Sequence, residues 1–279
     1  MKNYDLLNGN DLFVMDSSVS GPNVLILGGV HGNEYCGVRA IDEVINKNLI
    51  SLNKGKVTFV YANREAINKE VRFVEENLNR CFLEDKLKTN SYEERMAQDI
   101  MKIMDSCDVC LDLHASSCKN SIPFIICENN ALEYIKDFPI EIVCGGFDEH
   151  EPGGTDYYMN LLGKVGICVE CGYKEDLRTK DVAITCITNI LSSLGMIDYN
   201  VKRHPKEFLE VNELYQPKEE FKLIKEFDDF EKMSEGSVIG YDGDNEVRTK
   251  SNGFILFARD VKKLDPDRDA FLYGICKKH

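Results

Sequence analysis

His31 and Glu34 stand three residues apart in "LILGGVHGNEYCGV" (25–38), where an apolar run gives way to glycines. A histidine and a carboxylate at that spacing can offer two metal ligands from a single turn. Spacing alone decides little, because His204 and Glu207 in "HPKE" repeat it beside a proline and a lysine. Taken as a bare pair, His31 and Glu34 read equally well as a polar turn. Their context differs from that of the second pair: the preceding run is strand-like, and Gly28, Gly29 and Gly32 let backbone crowd close to a site. His114 ends another apolar run, "DVCLDLHAS" (108–116), and in an extended strand Cys110, Asp112 and His114 share one face. Two histidines and one glutamate form the open three-ligand set that leaves zinc a position for water or substrate. Asp112 is then placed to hold the His114 ring from behind, or else to cap a neighbouring loop. A lone His114 would read as a hydrogen-bonded core residue.

Two further segments add charge. In "EVRFVEENLNRCF" (70–82), Arg72 and Arg80 lie eight apart, with Asn79 next to the second. A guanidinium fork grips a carboxylate bidentately and an adjacent amide adds a contact. The competing assignment is surface ion pairing with Glu70, Glu75 and Glu76. In "GICVECGYKED" (166–176), Glu170 shares a strand face with Cys168. A carboxylate beside a metal-activated water takes its proton and later delivers it to a leaving amine. Without a metal, Glu170 is an ordinary strand-end glutamate. No nucleophile elbow, P-loop or dinucleotide fingerprint competes for the chain.

These residues need elements to bring them together. "NVLILGGV", "GKVTFVYANR", "DVCLDLHAS", "IPFIICE", "EIVCGG" and "GICVECGY" read as strands. Between them lie helical patterns. "EYCGVRAIDEVINKNLI" spaces Val38, Ile41, Val44 and Ile45 on one stripe, and "SYEERMAQDIMKIMDSC" opens on Ser91 and aligns Met96, Ile100, Ile103 and Met104. A third, "TKDVAITCITNILSSLG", ends at Gly195. This alternation predicts an α/β fold with a mainly parallel sheet covered by helices on both faces. In such sheets the ligand crevice lies beyond the carboxyl ends of the strands, where His31, His114 and Glu170 all fall. Past Asp198 the texture changes to short alternating segments ("GSVIGYD", "GFILFARDV", "AFLYGICKK") with turn signals "DGDN" and "SNG". We therefore expect a catalytic domain over 1–198 and a small β domain over 199–279.

The 279 residues suit one large domain, or one medium domain with an appendage. A balance of 48 acidic to 34 basic residues, net −14, argues against a nucleic-acid partner. No apolar run approaches the roughly 20 residues that span a bilayer, and "MKNYDLLNGNDLFVMD" lacks the apolar core of a signal peptide. The expected setting is cytoplasmic, off the membrane, with homo-oligomerisation left open. Eleven cysteines, an odd number, fit reduced thiols there. Cys107/Cys110 and Cys168/Cys171 have C-x-x-C spacing, but both pairs lie at or inside predicted strands, where residues three apart face opposite sides. Core cysteines are expected rather than a zinc ribbon.

In order, "GGVHGNE", "RFVEENLNRCF", "DLHAS" and "GICVECG" resemble the succinylglutamate desuccinylase/aspartoacylase family. These are zinc amidohydrolases related in fold to the M14 zinc carboxypeptidases. The resemblance implies one zinc ion per subunit held by His31, Glu34 and His114, with Glu170 as general base and acid. It implies that Arg72 stabilises the oxyanion of the scissile carbonyl and that Asn79 and Arg80 grip the α-carboxylate of a small carboxylate-bearing substrate. It also implies a carboxy-terminal β domain that partly roofs the pocket. Two features depart from the aspartoacylase pattern. "GGTDYYMNLLGKVGICVE" (153–170) holds Lys164 but no arginine to read a side-chain carboxylate, and "ARDVKKLDPDRDAF" (258–271) holds no tyrosine. N-acetylaspartate is thus a poor match, and Tyr157 and Tyr158 are left as pocket-lining or packing residues. The expected activity is deacylation of an N-acylated amino acid or related amine. A carboxypeptidase-like peptidase and a non-catalytic metal-binding member of the fold are the alternatives.

Overall fold

A computed structural model of the chain describes residues 2–4, 11–83, 90–200 and 202–276. Its strands are β1 (Lys2–Tyr4), β2 (Leu12–Asp16), β3 (Asn23–Gly28), β4 (Lys56–Tyr61), β5 (Val109–Ser116), β6 (Phe124–Cys127), β7 (Ile142–Gly145), β8 (Val165–Tyr173), β9 (Glu207–Tyr215), β10 (Phe221–Leu223), β11 (Glu231–Met233), β12 (Val238–Asp242), β13 (Asn245–Arg248), β14 (Gly253–Leu256) and β15 (Phe271–Cys276). The helices are α1 (Tyr35–Asn46), α2 (Arg64–Lys69), α3 (Tyr92–Met104), α4 (Leu132–Ile135), α5 (Phe147–His150), α6 (Thr155–Leu161) and α7 (Thr179–Ser193).

Twelve strands form one mixed sheet in the order β1-β2-β4-β3-β5-β8-β6-β7-β9-β15-β14-β11. Its centre is the run β4-β3-β5-β8, parallel throughout; β6 reverses direction against β8, β7 runs parallel to β6 and β9 to β7, and β15 is antiparallel to β9. The central strands are apolar on both faces because both are covered. On one face Ile26, Leu111, Leu113 and Val169 pack with Ile41 of α1 and Ile187 of α7. On the other, Leu25, Leu27 and Cys110 pack with Met96, Ile100 and Met104 of α3 and with Tyr158 and Met159 of α6. This is the doubly covered α/β sheet that the strand–helix alternation implied. Ser91 caps α3 through its hydroxyl, which accepts the Glu94 N–H at 3.0 Å.

The residues after Asp198 carry no helix among those described. Their strands β9, β15, β14 and β11 extend the main sheet, and β10, β12 and β13 form a second, three-stranded antiparallel sheet. Phe124, Ile126 and Cys168 of the central sheet share a core with Leu209, Val211, Phe254, Leu256 and Leu272. The carboxy-terminal strands therefore share a core with one face of β6 and β8. No helix among the described residues is long and apolar enough to cross a membrane.

All eleven cysteines are free thiols. Cys168 and Cys171 join cores on opposite faces of the sheet, as strand alternation requires. Cys107 and Cys110 depart from that expectation and pack into the same core. Cys107 precedes the first residue of β5, so the alternation does not extend to it.

Candidate active site

The site is built on β3, β5 and β8 at their carboxyl ends. Gly29, with φ of +72°, turns the chain out of β3 into His31, and Gly32 lies so close to α2 that a Cβ would fall 2.1 Å from the Ala66 carbonyl carbon. Glu34 is the N-cap residue of α1, but its side chain makes no capping bond. It turns inward instead, where one carboxylate oxygen lies 2.9 Å from His31 Nδ1 and the other 3.0 Å from His114 Nδ1. The parallel register of β5 and β8 sets His114 directly opposite Glu170, and Asp112 opposite Cys168, on the same face of the sheet. His31, Glu34 and His114 are all buried, and their ligand atoms lie within 4.8 Å of one another.

The hydrogen bonds around the two imidazoles decide which nitrogens face inward. Asn77 Oδ1 accepts the Asn79 N–H at 3.0 Å and so is an acceptor; His31 Nε2, 3.0 Å away, must donate to it. His114 Nε2 donates to Asp112 Oδ2 at 2.9 Å, and the Thr155 hydroxyl donates to the same oxygen at 2.7 Å. Both rings therefore present Nδ1 to Glu34. His31 Nδ1 is buried without a hydrogen-bond partner despite its closeness to Glu34, which is the environment of a ligand lone pair. The donor set of two imidazoles and one carboxylate suits zinc.

Burial and the mutual charges of these groups shift their proton affinities in opposite directions. Burial, with the Arg72 charge, lowers the His31 pKa to about 4, so the ring is neutral at physiological pH. Burial alone would raise Glu34, but the two imidazoles hold it well below the usual carboxylate range. Burial would lower His114, yet the Asp112 and Glu34 carboxylates outweigh it and push the pKa well up. Glu170 is 7 % exposed and one of its oxygens has no hydrogen-bond partner. Burial and the nearby Glu34 charge push its pKa up to about 8.

Arg72 and Arg80 do not pair with Glu70, Glu75 or Glu76. Arg72 Nη1 donates to Glu34 Oε1 at 3.2 Å and its Nε lies 3.6 Å from Asp267 Oδ2, with 41 % of the side chain still exposed. Arg80 meets Glu151, Asp269 Oδ2 at 3.1 Å and the Asn79 carbonyl at 2.8 Å. Burial works against its charge, and the Glu151 and Asp269 carboxylates more than restore it. Asn79 Oδ1 accepts the Thr155 N–H at the start of α6, 3.3 Å away. Arg72, Asn79, Arg80, His31, Glu34, His114 and Glu170 all line one cleft of about 810 Å³. Leu223, Lys225, Phe257, Arg259 and the aspartates 265, 267 and 269 close it from the carboxy-terminal side. The expected roof is present.

Several residues fall elsewhere. His204 does not line the cleft and joins no metal-ligand group among the described residues. Tyr158 is buried under α3 and donates to Asp105 at 2.8 Å, while Lys164 bonds the carbonyls of Met104 and Asp105. Tyr157 does not line the cleft either, and only Tyr158 joins a core. Asn77, Thr155, Asp267 and Asp269 join the site without a motif in the chain that marks them. The first stands in a segment already singled out for its arginines, whereas nothing near Asp267 or Asp269 in the chain signals that they meet Arg72 and Arg80.

A family model described as the succinylglutamate desuccinylase/aspartoacylase catalytic domain matches residues 20–192. A protein of Nostoc sp. named "Probable aspartoacylase" is 28% identical over 169 residues, which are 53% of this chain and 54% of that one. A succinylglutamate desuccinylase of Idiomarina loihiensis is 40% identical over 92 residues, 29% of this chain and 26% of that one. The matches thus span about half of these curated relatives' length, or less. The crystal structure of succinylglutamate desuccinylase from Vibrio cholerae superposes with a TM-score of 0.80, covering 97% of this chain and 86% of that one at 19% identity, a likeness of fold.

Proposed function

Because the chain belongs to the succinylglutamate desuccinylase/aspartoacylase family, we propose that it is a zinc-dependent amidohydrolase that removes the acyl group from an N-acylated amino acid or related amine. One observation carries this reading. Three buried ligand atoms converge at the floor of a cleft, with the unpartnered carboxylate of Glu170 across the β5/β8 register and the Arg72 guanidinium at the rim. A structural metal site would need neither of the last two groups.

His31 Nδ1, Glu34 and His114 Nδ1 would hold the zinc ion. Zinc there would acidify a water and polarise the amide carbonyl. Glu170 takes the proton of the attacking water and returns it to the departing amine nitrogen. A carboxyl whose pKa is already pushed towards neutrality serves both halves of that exchange. Arg72 donates to the carbonyl oxygen as negative charge develops on it, from a side chain held in place by Glu34 and Asp267. Asn79 and Arg80 take the substrate carboxylate, which competes with Glu151 and Asp269 for the guanidinium.

Zinc-loaded protein assayed on N-acetyl, N-succinyl and N-formyl amino acids, alongside short peptides, tests the assignment. Hydrolysis of an acyl amino acid that a chelator abolishes is expected. Glu170→Gln should lower kcat by roughly 10²–10⁴-fold with zinc retained. Turnover of peptides alone would replace the deacylase reading with the carboxypeptidase one, and full activity in Glu170→Gln would sink the proton-transfer role.

A further inference from the structure

The segment 72–80 carries Arg72, Asn77, Asn79 and Arg80 but has no regular structure until the single turn Leu78–Arg80. Its two ends are pinned to the turn that carries the metal ligands. The Gly32 N–H donates to the Arg72 carbonyl at 3.0 Å, and Asn77 Oδ1 meets His31 Nε2. Between these points the backbone N–H groups of three consecutive residues converge on one side chain. Glu93 Oε1 accepts from Val74 N at 2.7 Å, and its Oε2 accepts from Glu75 N at 3.2 Å and Glu76 N at 3.3 Å. The Asn63 amide donates to Oε1 at 3.1 Å. Glu93 is 0% exposed, and no cation pairs with it among the described residues.

A carboxylate buried without a counter-ion is costly unless its oxygens are filled by donors. Here four N–H groups fill them, helped by the positive end of α3, in whose first turn Glu93 lies. The helix itself needs no charge at this position; gathering three successive amides does, because only an acceptor-only group with two oxygens can take them all. The contact is reciprocal, since the Tyr92 N–H donates to Glu75 Oε2 at 2.5 Å and the Ser91 hydroxyl to the Glu76 carboxylate.

We propose that Glu93 is a positioning residue: its carboxylate fixes the backbone of 74–76 and thereby sets where Arg72, Asn77, Asn79 and Arg80 stand against the His31/Glu34/His114 cluster. The catalytic consequence rests on the deacylase reading above; the control of loop conformation does not.

The test uses Glu93→Gln, which keeps one acceptor oxygen and turns the other end into an amide donor facing N–H groups. Glu93→Asp, which keeps the charge but withdraws it by one methylene, serves if the glutamine variant does not fold. Amide hydrogen exchange at 74–76 should rise by at least about tenfold in the variant, with zinc content unchanged. On an acyl amino acid that the wild type cleaves, kcat should fall on the order of 10²-fold, the scale expected for groups misplaced by about an ångström. The Arg72→Ala/Glu93→Gln double variant should lose less than the two single losses combined, because part of the Glu93 effect passes through the Arg72 guanidinium. Ala97→Gly, which weakens α3 away from these bonds, should lower thermal stability without either change. Unaltered exchange at 74–76, additive losses in the double variant, or the same kinetic defect in Ala97→Gly would overturn the proposal. A wild-type protein that cleaves no N-acyl amino acid would instead overturn the deacylase reading, with the exchange result still deciding the role of Glu93 in the loop.

Discussion

Glu34 occupies the N-cap of α1 and caps nothing, a local loss that makes sense only if its carboxylate is wanted between two imidazoles. At this scale, burial and like charge dominate the chemistry of the cleft. Asp156 lines it, and burial, with the Asp148 and Asp112 charges, pushes its pKa from 3.8 up to about 7. Between those values the folded protein keeps a proton that the unfolded chain has released, so stability falls as pH rises through that window. Asp156→Asn removes the loss. Relative to wild type, the variant should gain about 2–4 kcal/mol as pH rises from 4 to 8. Denaturant unfolding at the two pH values measures this, and a difference independent of pH would contradict it. That His31, Glu34, His114 and Glu170 would meet in one place was readable from strand ends and alternation. That Arg72 would choose Glu34 and Asp267 over its neighbouring glutamates was not, because an ion pair forms with whatever the fold brings near.

Among the elements, β3 and the turn into α1 carry the tightest constraint. Gly32 sits against the backbone of α2, and a methyl group there would meet Ala66 and Ile67 at 2.1–2.4 Å. Gly32→Ala must push α2 and His31 apart. It should cost about 1–3 kcal/mol of stability, as overpacking does, and weaken zinc binding as well. Thermal melting and metal titration together check this; wild-type affinity in a merely destabilised variant would show that the turn tolerates the shift. The strands and long helices were legible because their apolar periods match the faces that they bury, as with Met96, Ile100 and Met104 on α3. The short α2 and α6 were not, since six or seven residues hold too few turns to display a period.

Across the whole molecule, the carboxy-terminal strands complete a cleft that the amino-terminal sheet opens. Ser116 beyond His114 donates to Asp229 at 2.7 Å, Asp267 braces Arg72, and Asp269 holds Arg80. Asp269 therefore stands where it competes with an incoming carboxylate. Asp269→Asn should lower the KM for an N-acyl amino acid by about two- to fivefold, the worth of a partly exposed ion pair, with kcat little changed. A raised KM would mean that Asp269 orients Arg80 rather than occupying it.

Alternation along β5 and β8, the glycines after β3 and the ordered motifs were enough, as sequence, to determine the doubly covered sheet and to bring His31, Glu34, His114 and Glu170 to one end of it. Strand periodicity is local, and the carboxyl ends of parallel strands converge whatever the loops do. Only the tertiary structure decided which nitrogens of His31 and His114 face inward, which carboxylates hold Arg72 and Arg80, and that Glu93 gathers the loop between them. Those contacts join segments far apart in the chain. Hydrogen-bond and charge partners follow from proximity in space, which no spacing in the sequence encodes.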